Sequence, residues 1–101
     1  MLFVYTTCST SDEAESLSKL ILENKMAACV DYWPIKSIYH WEGKLKEESE
    51  IMMIITTFES KLEAMNDLIS KNHSYSVPLI AGIDVRRINR AYREWMMQEV
   101  A

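Results

Sequence analysis

The stretch of sequence that decides the fold is residues 27–58, AACVDYWPIKSIYHWEGKLKEESEIMMIITTF. Residues 27–41 are dominated by β-branched and aromatic strand formers. Residues 51–58 form a second such run, which is entered through the polar residues 45–50. Between the two runs, residues 42–44 (EGK) are typical of a turn. Two strands of about 15 residues each, at ~3.4 Å per residue, predict a hairpin of roughly 50 Å.

The predicted hairpin is longer than a chain of this length can easily cover. A compact domain of ~100 residues has a radius of gyration of only about 13 Å, so the hairpin must bend, bulge or project. Pro34 has no backbone N–H to donate, and it predicts a bulge or kink near its position. The alternative is two shorter strands with a loop at 33–36. A projecting edge with unpaired backbone groups favours association with another chain.

Shorter elements flank the hairpin on both sides. Residues 2–7 indicate a buried first strand, and residues 79–85 indicate a fourth. Residues 60–63 (SKLE) read as a capping box that opens a second helix, and Asn89 is the predicted cap of a terminal helix. The first helix has four candidate N-caps, Ser9, Thr10, Ser11 and Asp12.

The element order β-α-β-β-α-β-α predicts an α+β fold. Its first six elements are the ferredoxin-like βαββαβ arrangement, a four-stranded antiparallel sheet with two helices on one face. The extra C-terminal helix covers only part of the other face. No linker divides the chain, so we expect one domain over residues 1–101. Hydrophobic residues make up 49% of the sequence, which is more than so short a chain readily buries alone, and this also favours oligomerisation.

Composition restricts the classes of function. The net charge of −4 disfavours binding to nucleic acid. No apolar run approaches the ~20 residues that span a bilayer. The first residues have no charged segment typical of a signal peptide, and two cysteines outside any CxxC pair suit a reducing compartment, so we expect a cytoplasmic protein. P-loop, G-x-S-x-G and H-E-x-x-H motifs are absent, and we therefore expect no enzyme activity.

Four blocks of sequence resemble one known family. The blocks are residues 25–30 (KMAACV), 37–44 (SIYHWEGK), 73–78 (HSYSVP) and 92–95 (YREW). They are similar, in order, to the A-A-C segment, the S-x-Y-x-W-x-G-K hairpin tip, the H-P-Y-x-x-P loop and the closing Y-x-x-W of the CutA divalent-cation-tolerance family. The resemblance implies a homotrimer assembled through long hairpins and similar in architecture to the PII signalling proteins. It also implies a role in the response to metal ions, copper above all.

The sequence departs from the family pattern at three places. Ser74 stands where the family usually has Pro, which predicts a less rigid loop. Leu79 stands where it usually has Glu, and Thr56 where it usually has Lys. The last two changes remove a carboxylate and a positive charge from the presumed cleft.

The candidate metal ligands are Cys29 and His73. A thiol and a neutral imidazole suit copper or another soft or borderline divalent cation. The open alternatives are packing of Cys29 as a small hydrophobe and a hydrogen bond from His73 to loop backbone. Cys8 is interpreted as structural, and His40 as an exposed strand residue.

Two further groups are candidate ligand sites. Aromatic residues that could line a pocket or an interface are Trp41, Tyr75, Tyr92 and Trp95, although the last two also suit core packing. The four arginines form a candidate anion site or a solvated surface; they are Arg86, Arg87, Arg90 and Arg93. Two hypotheses follow, a homotrimeric metal-responsive binding protein and a PII-like signalling or scaffold trimer that senses a small anion.

Overall fold

The computed structural model describes all 101 residues and shows an α+β fold. Four antiparallel strands form one sheet in the order β2-β3-β1-β4. The strands are β1 (Leu2–Cys8), β2 (Cys29–Trp41), β3 (Lys44–Thr57) and β4 (Ala81–Asp84). The helices are α1 (Ser11–Glu23), α2 (Leu62–Asn72) and α3 (Arg90–Glu99), with a 3₁₀ turn at Glu59–Lys61. The ferredoxin-like βαββαβ arrangement with an added terminal helix is therefore confirmed.

β2 and β3 form one uninterrupted hairpin. Their register runs without a bulge from Cys29 opposite Thr56 to Trp41 opposite Lys44. The predicted bulge or kink at Pro34 is wrong, because Pro34 pairs with Ile51 in the same register. β2 is an edge strand, where a residue without an N–H is tolerated. The alternative of a loop at 33–36 is excluded as well, and the molecule measures 46 × 25 × 21 Å because the hairpin projects.

The hairpin closes through two residues with left-handed backbones. Glu42 has φ 51° and Gly43 has φ 77°, between the paired residues Trp41 and Lys44. Positive φ at both central positions is the geometry of a type I′ turn, whose twist matches that of the flanking strands. The turn predicted at residues 42–44 is thus confirmed, and the polar residues before Ile51 belong to the strand.

The core lies on one face of the sheet, beneath α1 and α2. Side chains of β1 alternate between that face and the opposite one, as a half-buried strand should. The buried apolar residues of this core include Leu2, Val4, Ile21, Ile55, Met65 and Ile69. A second cluster towards the other end of β1 contains Cys8, Ala14, Leu17, Ile51 and Met53.

The ends of the helices differ from the sequence prediction in one case. Thr10 caps α1 by accepting a hydrogen bond from the backbone N–H of Glu13 at 3.1 Å. The predicted capping box at residues 60–63 is wrong: Lys61 N–H donates to the Phe58 carbonyl at 2.9 Å, which closes a 3₁₀ turn first. Asn89 occupies the N-cap position of α3 without a side-chain hydrogen bond.

β4 is shorter than the predicted residues 79–85. It pairs only with the first half of β1, from Leu2 opposite Asp84 to Tyr5 opposite Ala81. Further along β1, the Thr7 carbonyl oxygen lies 2.7 Å from the His73 imidazole. The loop after α2 thus takes the place that an extended β4 would need.

The second face of the sheet carries exposed aromatic and aliphatic side chains. Trp33 is 43% exposed, Trp41 46% and Ile83 45%. α3 lies near one end of this face, where burial and the neighbouring Cys29 and Asp31 raise the pKa of Tyr92. Most of the projecting hairpin has no cover within the chain.

Candidate functional site

The end of α2 places an imidazole against β1. His73 is the residue after α2, and its side chain is fully buried. Its Nδ1 accepts a hydrogen bond from the Tyr75 backbone N–H at 3.0 Å. Because Nδ1 is the acceptor, Nε2 carries the proton of the neutral ring and donates to the Thr7 carbonyl at 2.7 Å.

A thiol lies beside this imidazole. Cys8 ends β1 and is fully buried, with its Sγ 4.0 Å from His73 Nε2 and 3.3 Å from Met53 Sδ. Burial raises the pKa of the Cys8 thiol to about 12, with smaller effects from Glu13 and Glu50. The group is therefore a neutral thiol at pH 7, which donates to the Met53 thioether.

Glu13 joins α1 to the loop that carries His73. Its carboxylate accepts from the backbone N–H and hydroxyl of Ser74, at 2.7 and 2.9 Å, and from those of Ser9, both at 3.1 Å. Burial acts to raise the pKa of Glu13, but the hydrogen bonds from Ser74 and Ser9 outweigh it and hold the pKa below its usual value. Ser74 replaces the rigidity of a proline ring with these bonds, and proline has no N–H with which to make the shortest of them.

A cavity of about 510 Å³ lies on the other side of the same loop, beside the hairpin. Its walls include Tyr39, Trp41, Glu48, Glu50, Tyr75 and Leu79. The Tyr75 hydroxyl donates to Glu50 Oε2 at 2.7 Å. Burial, together with this hydrogen bond and the Glu50 charge, raises the pKa of Tyr75 well above its usual range.

The structure separates Cys29 from His73 within one chain. Cys29 and Phe3 both pair with Thr56, whereas His73 contacts Thr7. Four residues along β1 amount to about 14 Å. Ligands bind a metal at about 2.0–2.3 Å, so these two side chains cannot share an ion within one chain.

The structure brings together two of the four candidate aromatic residues. Trp41 and Tyr75 line the cavity. Tyr92 and Trp95 instead form an edge-to-face pair on α3, with ring centroids 5.3 Å apart. None of the cavity walls comes from α3.

The four arginines do not converge on one point. Arg90 pairs with Glu94 at 2.8 Å, and the Arg93 guanidinium lies 5.7 Å from the centre of the Phe58 ring. Arg86 and Arg87 are exposed before α3 begins. This dispersal agrees with the solvated-surface interpretation more than with an anion site.

Cys8 is the residue of this site that sequence reasoning interpreted as structural. The order of the strands and helices, rather than local spacing, would have shown that Cys8 lies beside His73. β3 ends opposite the start of β1, so α2 runs back along the sheet and ends where β1 ends. That path brings the residue after α2 to Cys8.

Two general features of the structure concern metals and membranes. No three His, Cys, Asp or Glu side chains group closely enough to hold a metal ion by themselves. No helix is long and apolar enough to cross a membrane.

Comparison with known proteins identifies the family. The profile of the CutA1 divalent ion tolerance protein matches residues 2–99. The divalent-cation tolerance protein CutA of Archaeoglobus fulgidus is 38% identical over 98 residues, which cover 97% of this chain and 96% of the relative. The CutA of Pyrococcus horikoshii is 35% identical over 99 residues, covering 98% and 97%.

Solved structures agree with the sequence comparison. The structure of the Archaeoglobus fulgidus protein, described as a periplasmic divalent cation tolerance protein CutA, superposes with a TM-score of 0.97 over 100% of both chains at 37% identity. The crystal structure of CutA1 from Pyrococcus horikoshii gives a TM-score of 0.97 over 100% of this chain and 99% of that one, at 36% identity. This chain therefore belongs to the CutA1 divalent ion tolerance family.

Proposed function

We propose that this chain responds to metal ions by binding a soft cation, copper(I) foremost, between Cys8 and His73. The observation that carries the proposal is the 4.0 Å approach of Cys8 Sγ to His73 Nε2, with Met53 Sδ 3.3 Å from the same sulfur. Thiolate, thioether and imidazole are ligands that copper(I) accepts. The names of the relatives refer to divalent cation tolerance, which supports a response to metal ions as the general class of function but does not point to copper(I) in particular.

The donor set fits a soft cation better than a hard one. Magnesium and calcium require several oxygen ligands, whereas two of the three donors here are sulfur atoms. His73 would offer Nε2, Cys8 its sulfur, and Met53 a weaker third contact. Cys29 could join such a site only from another chain.

Binding at this site must displace protons. The Cys8 thiol is neutral at pH 7, and His73 Nε2 donates to Thr7. Metal binding would release the Cys8 proton to solvent, and it would move the Nε2 proton of neutral His73 to Nδ1, which breaks the hydrogen bond from the Tyr75 N–H. Protons compete with the metal for both donors, so affinity should fall as pH falls.

A competition titration tests the site. Under anaerobic conditions and with a chromogenic copper(I) chelator as competitor, we expect Cys8→Ser and His73→Gln each to lower copper(I) affinity at least tenfold. The matched control is Cys29→Ser, which removes the other free cysteine and should leave the affinity within twofold of wild type. The proposal fails if Cys29→Ser abolishes binding and Cys8→Ser leaves it unchanged.

We further propose that the functional unit is a homotrimer of one-domain chains. The support is the exposed apolar face of the sheet, together with its two open edges, β2 and β4. Contact between two different edges is a head-to-tail interface, which closes into a ring when the rotation permits it. Such a ring would cover apolar side chains that the single chain leaves in water, Trp33 and Ile83 among them.

The proposed role is binding rather than catalysis, and the proposed location is a reducing compartment such as the cytoplasm. Both cysteines are free thiols, and copper(I) is the reduced state of the metal. The alternative of an anion-sensing PII-like trimer draws no support from the arginines, which make separate contacts.

A further inference from the structure

Glu50 is a buried carboxylate without a positive partner. The residue is only 7% exposed, and its one hydrogen bond comes from the Tyr75 hydroxyl, at 2.7 Å from Oε2. No Lys, Arg or His nitrogen lies within 4.0 Å of its oxygens. Burying a charge is unfavourable unless it is paired or fully hydrogen-bonded. Because Glu50 lines the cavity beside the hairpin, a cation in that cavity would supply the missing partner.

The remaining walls of the cavity select the kind of cation. Tyr39 and Trp41 come from β2, and Tyr75 comes from the loop after α2. Aromatic ring faces attract organic cations, most strongly where water is excluded. Glu48 adds a second carboxylate from the same face of β3, so two carboxylates outnumber the one lysine of the cavity, Lys46, and the walls favour a cation over an anion.

Size and the donor set favour an organic ligand over a single inorganic ion. A volume of about 510 Å³ is that of a small-molecule site rather than of a single ion. The cavity contributes two carboxylates, and no group of three His, Cys, Asp or Glu that could hold a metal exists in the chain. A hydrated metal ion would also gain little from apolar walls such as Leu79.

From these contacts we infer that the cavity binds a small organic cation, with its ammonium group beside Glu50 and against the rings of Trp41 and Tyr75. The site adjoins the Cys8 and His73 pair, since the ring centroids of His73 and Tyr75 lie 4.8 Å apart, but it opens on a different face of the sheet. It lies on the exposed face of the sheet, whereas the sulfur and imidazole donors face the helices.

Lys46 provides a discriminating test of the ligand's charge. Its side chain lines the cavity but forms no ion pair with Glu48 or Glu50. A bound cation is repelled by Lys46, whereas a bound anion is attracted by it. Lys46→Gln should therefore strengthen cation binding about two- to fivefold, and it would weaken the binding of an anion.

The experiment titrates the full-length, chelator-treated protein with choline and follows tryptophan fluorescence and heat. The matched neutral probe is 3,3-dimethylbutan-1-ol, in which carbon replaces the charged nitrogen. We expect saturable choline binding and at least tenfold weaker binding of the alcohol. Glu50→Gln, which can still accept the hydrogen bond from Tyr75, should weaken choline binding at least tenfold. The matched control is Glu47→Gln, on the opposite face of the same strand, which should change affinity less than twofold.

Three results would overturn the inference: no saturation up to 50 mM choline, equal affinity for the neutral alcohol, or unchanged affinity in Glu50→Gln. Trp41→Leu serves as a second variant if Glu50→Gln fails to fold, and it should weaken choline binding at least fivefold. Cys8→Ser should bind choline like wild type. Its result keeps the failure of the metal site distinguishable from the failure of this one.

Discussion

Thr6 and Thr57 both have buried hydroxyl groups on the same face of the sheet, but only one of the two hydroxyls is hydrogen-bonded. Thr57 Oγ1 donates to the Met26 carbonyl at 2.6 Å. Thr6 Oγ1 is buried and has no hydrogen-bond partner. An unsatisfied buried hydroxyl typically costs about 1–3 kcal/mol, whereas a satisfied one contributes about 1 kcal/mol to stability.

We therefore predict that valine has opposite effects at these two positions. Thr6→Val should raise the free energy of unfolding by about 1 kcal/mol, because it removes an unpaired polar atom and keeps the shape. Thr57→Val should lower it by about 1–2 kcal/mol, because the Met26 carbonyl loses its donor. Urea denaturation at one fixed protein concentration measures both. Equal destabilisation by the two variants would show that the Thr6 hydroxyl is satisfied after all.

The stabilisation of the folded chain by the Glu13 carboxylate should depend on pH. Its pKa in the folded chain is below the unfolded value of about 4.3. The contribution of ionised Glu13 to the free energy of unfolding is therefore fully present above pH ~4.3, and it is lost as the pH falls through the pKa of Glu13 in the folded chain. Glu13→Gln should cost about 1–2 kcal/mol at pH 7, through loss of charge-assisted hydrogen bonds, and progressively less below pH ~4.

The control for Glu13 is Glu15→Gln on the same helix. Glu15 makes an exposed ion pair with Lys19 at 3.1 Å, and such pairs contribute about 0.3–0.5 kcal/mol. Urea denaturation of both variants from pH 7 to pH 3 separates the two cases. A Glu13→Gln deficit that does not shrink at low pH would contradict the hydrogen-bond account of its pKa.

The candidate site was only half predictable from the sequence. His73 stands out as a histidine in a polar loop, but Cys8 closes an apolar strand and has no ligand-like spacing to any other residue. Their contact exists because the last residues of α2 lie above the C-terminal end of β1. That is a property of the topology, which local spacing does not carry.

Secondary structure elements were predictable where the pattern depends on burial. The alternation of β1 and the apolar run of β3 follow from the core that they face. The two wrong predictions, a bulge at Pro34 and a capping box at residues 60–63, rested on single residues or motifs whose backbone surroundings the sequence does not show. Pro34 lies in an edge strand that tolerates it, and the 3₁₀ turn at Glu59–Lys61 displaced the capping box.

Substitutions at the two central residues of the hairpin turn should change the stability in opposite directions. At Glu42 a non-glycine residue adopts positive φ, where Asn is favoured, so Glu42→Asn should raise the free energy of unfolding by about 0.5–1 kcal/mol. A Cβ added at Gly43 would meet no atom within 4 Å, so Gly43→Ala should cost only the backbone strain of about 1–2 kcal/mol. Thermal unfolding measures both. Shifts of the melting temperature in the same direction would contradict the type I′ assignment.

At the scale of the whole molecule, one short loop links two faces of the sheet. His73 reaches Cys8 on the face that the helices cover, and Tyr75 reaches Glu50 on the exposed face. The hairpin length estimated from the sequence agrees with the 46 Å long axis of the molecule. The projecting hairpin and its exposed tryptophans are the features from which association was inferred, because a single chain offers nothing else to cover them.

Native mass spectrometry of the copper(I)-loaded protein tests the central claim most directly. We expect a trimer of 11.8 kDa chains, about 35 kDa, that carries three copper ions, one for each pair of Cys8 and His73. The Cys8→Ser protein should remain a trimer without copper, and Cys29→Ser should keep all three ions. A monomer would contradict the assembly. A single ion per trimer that survives Cys8→Ser and is lost in Cys29→Ser would contradict the site.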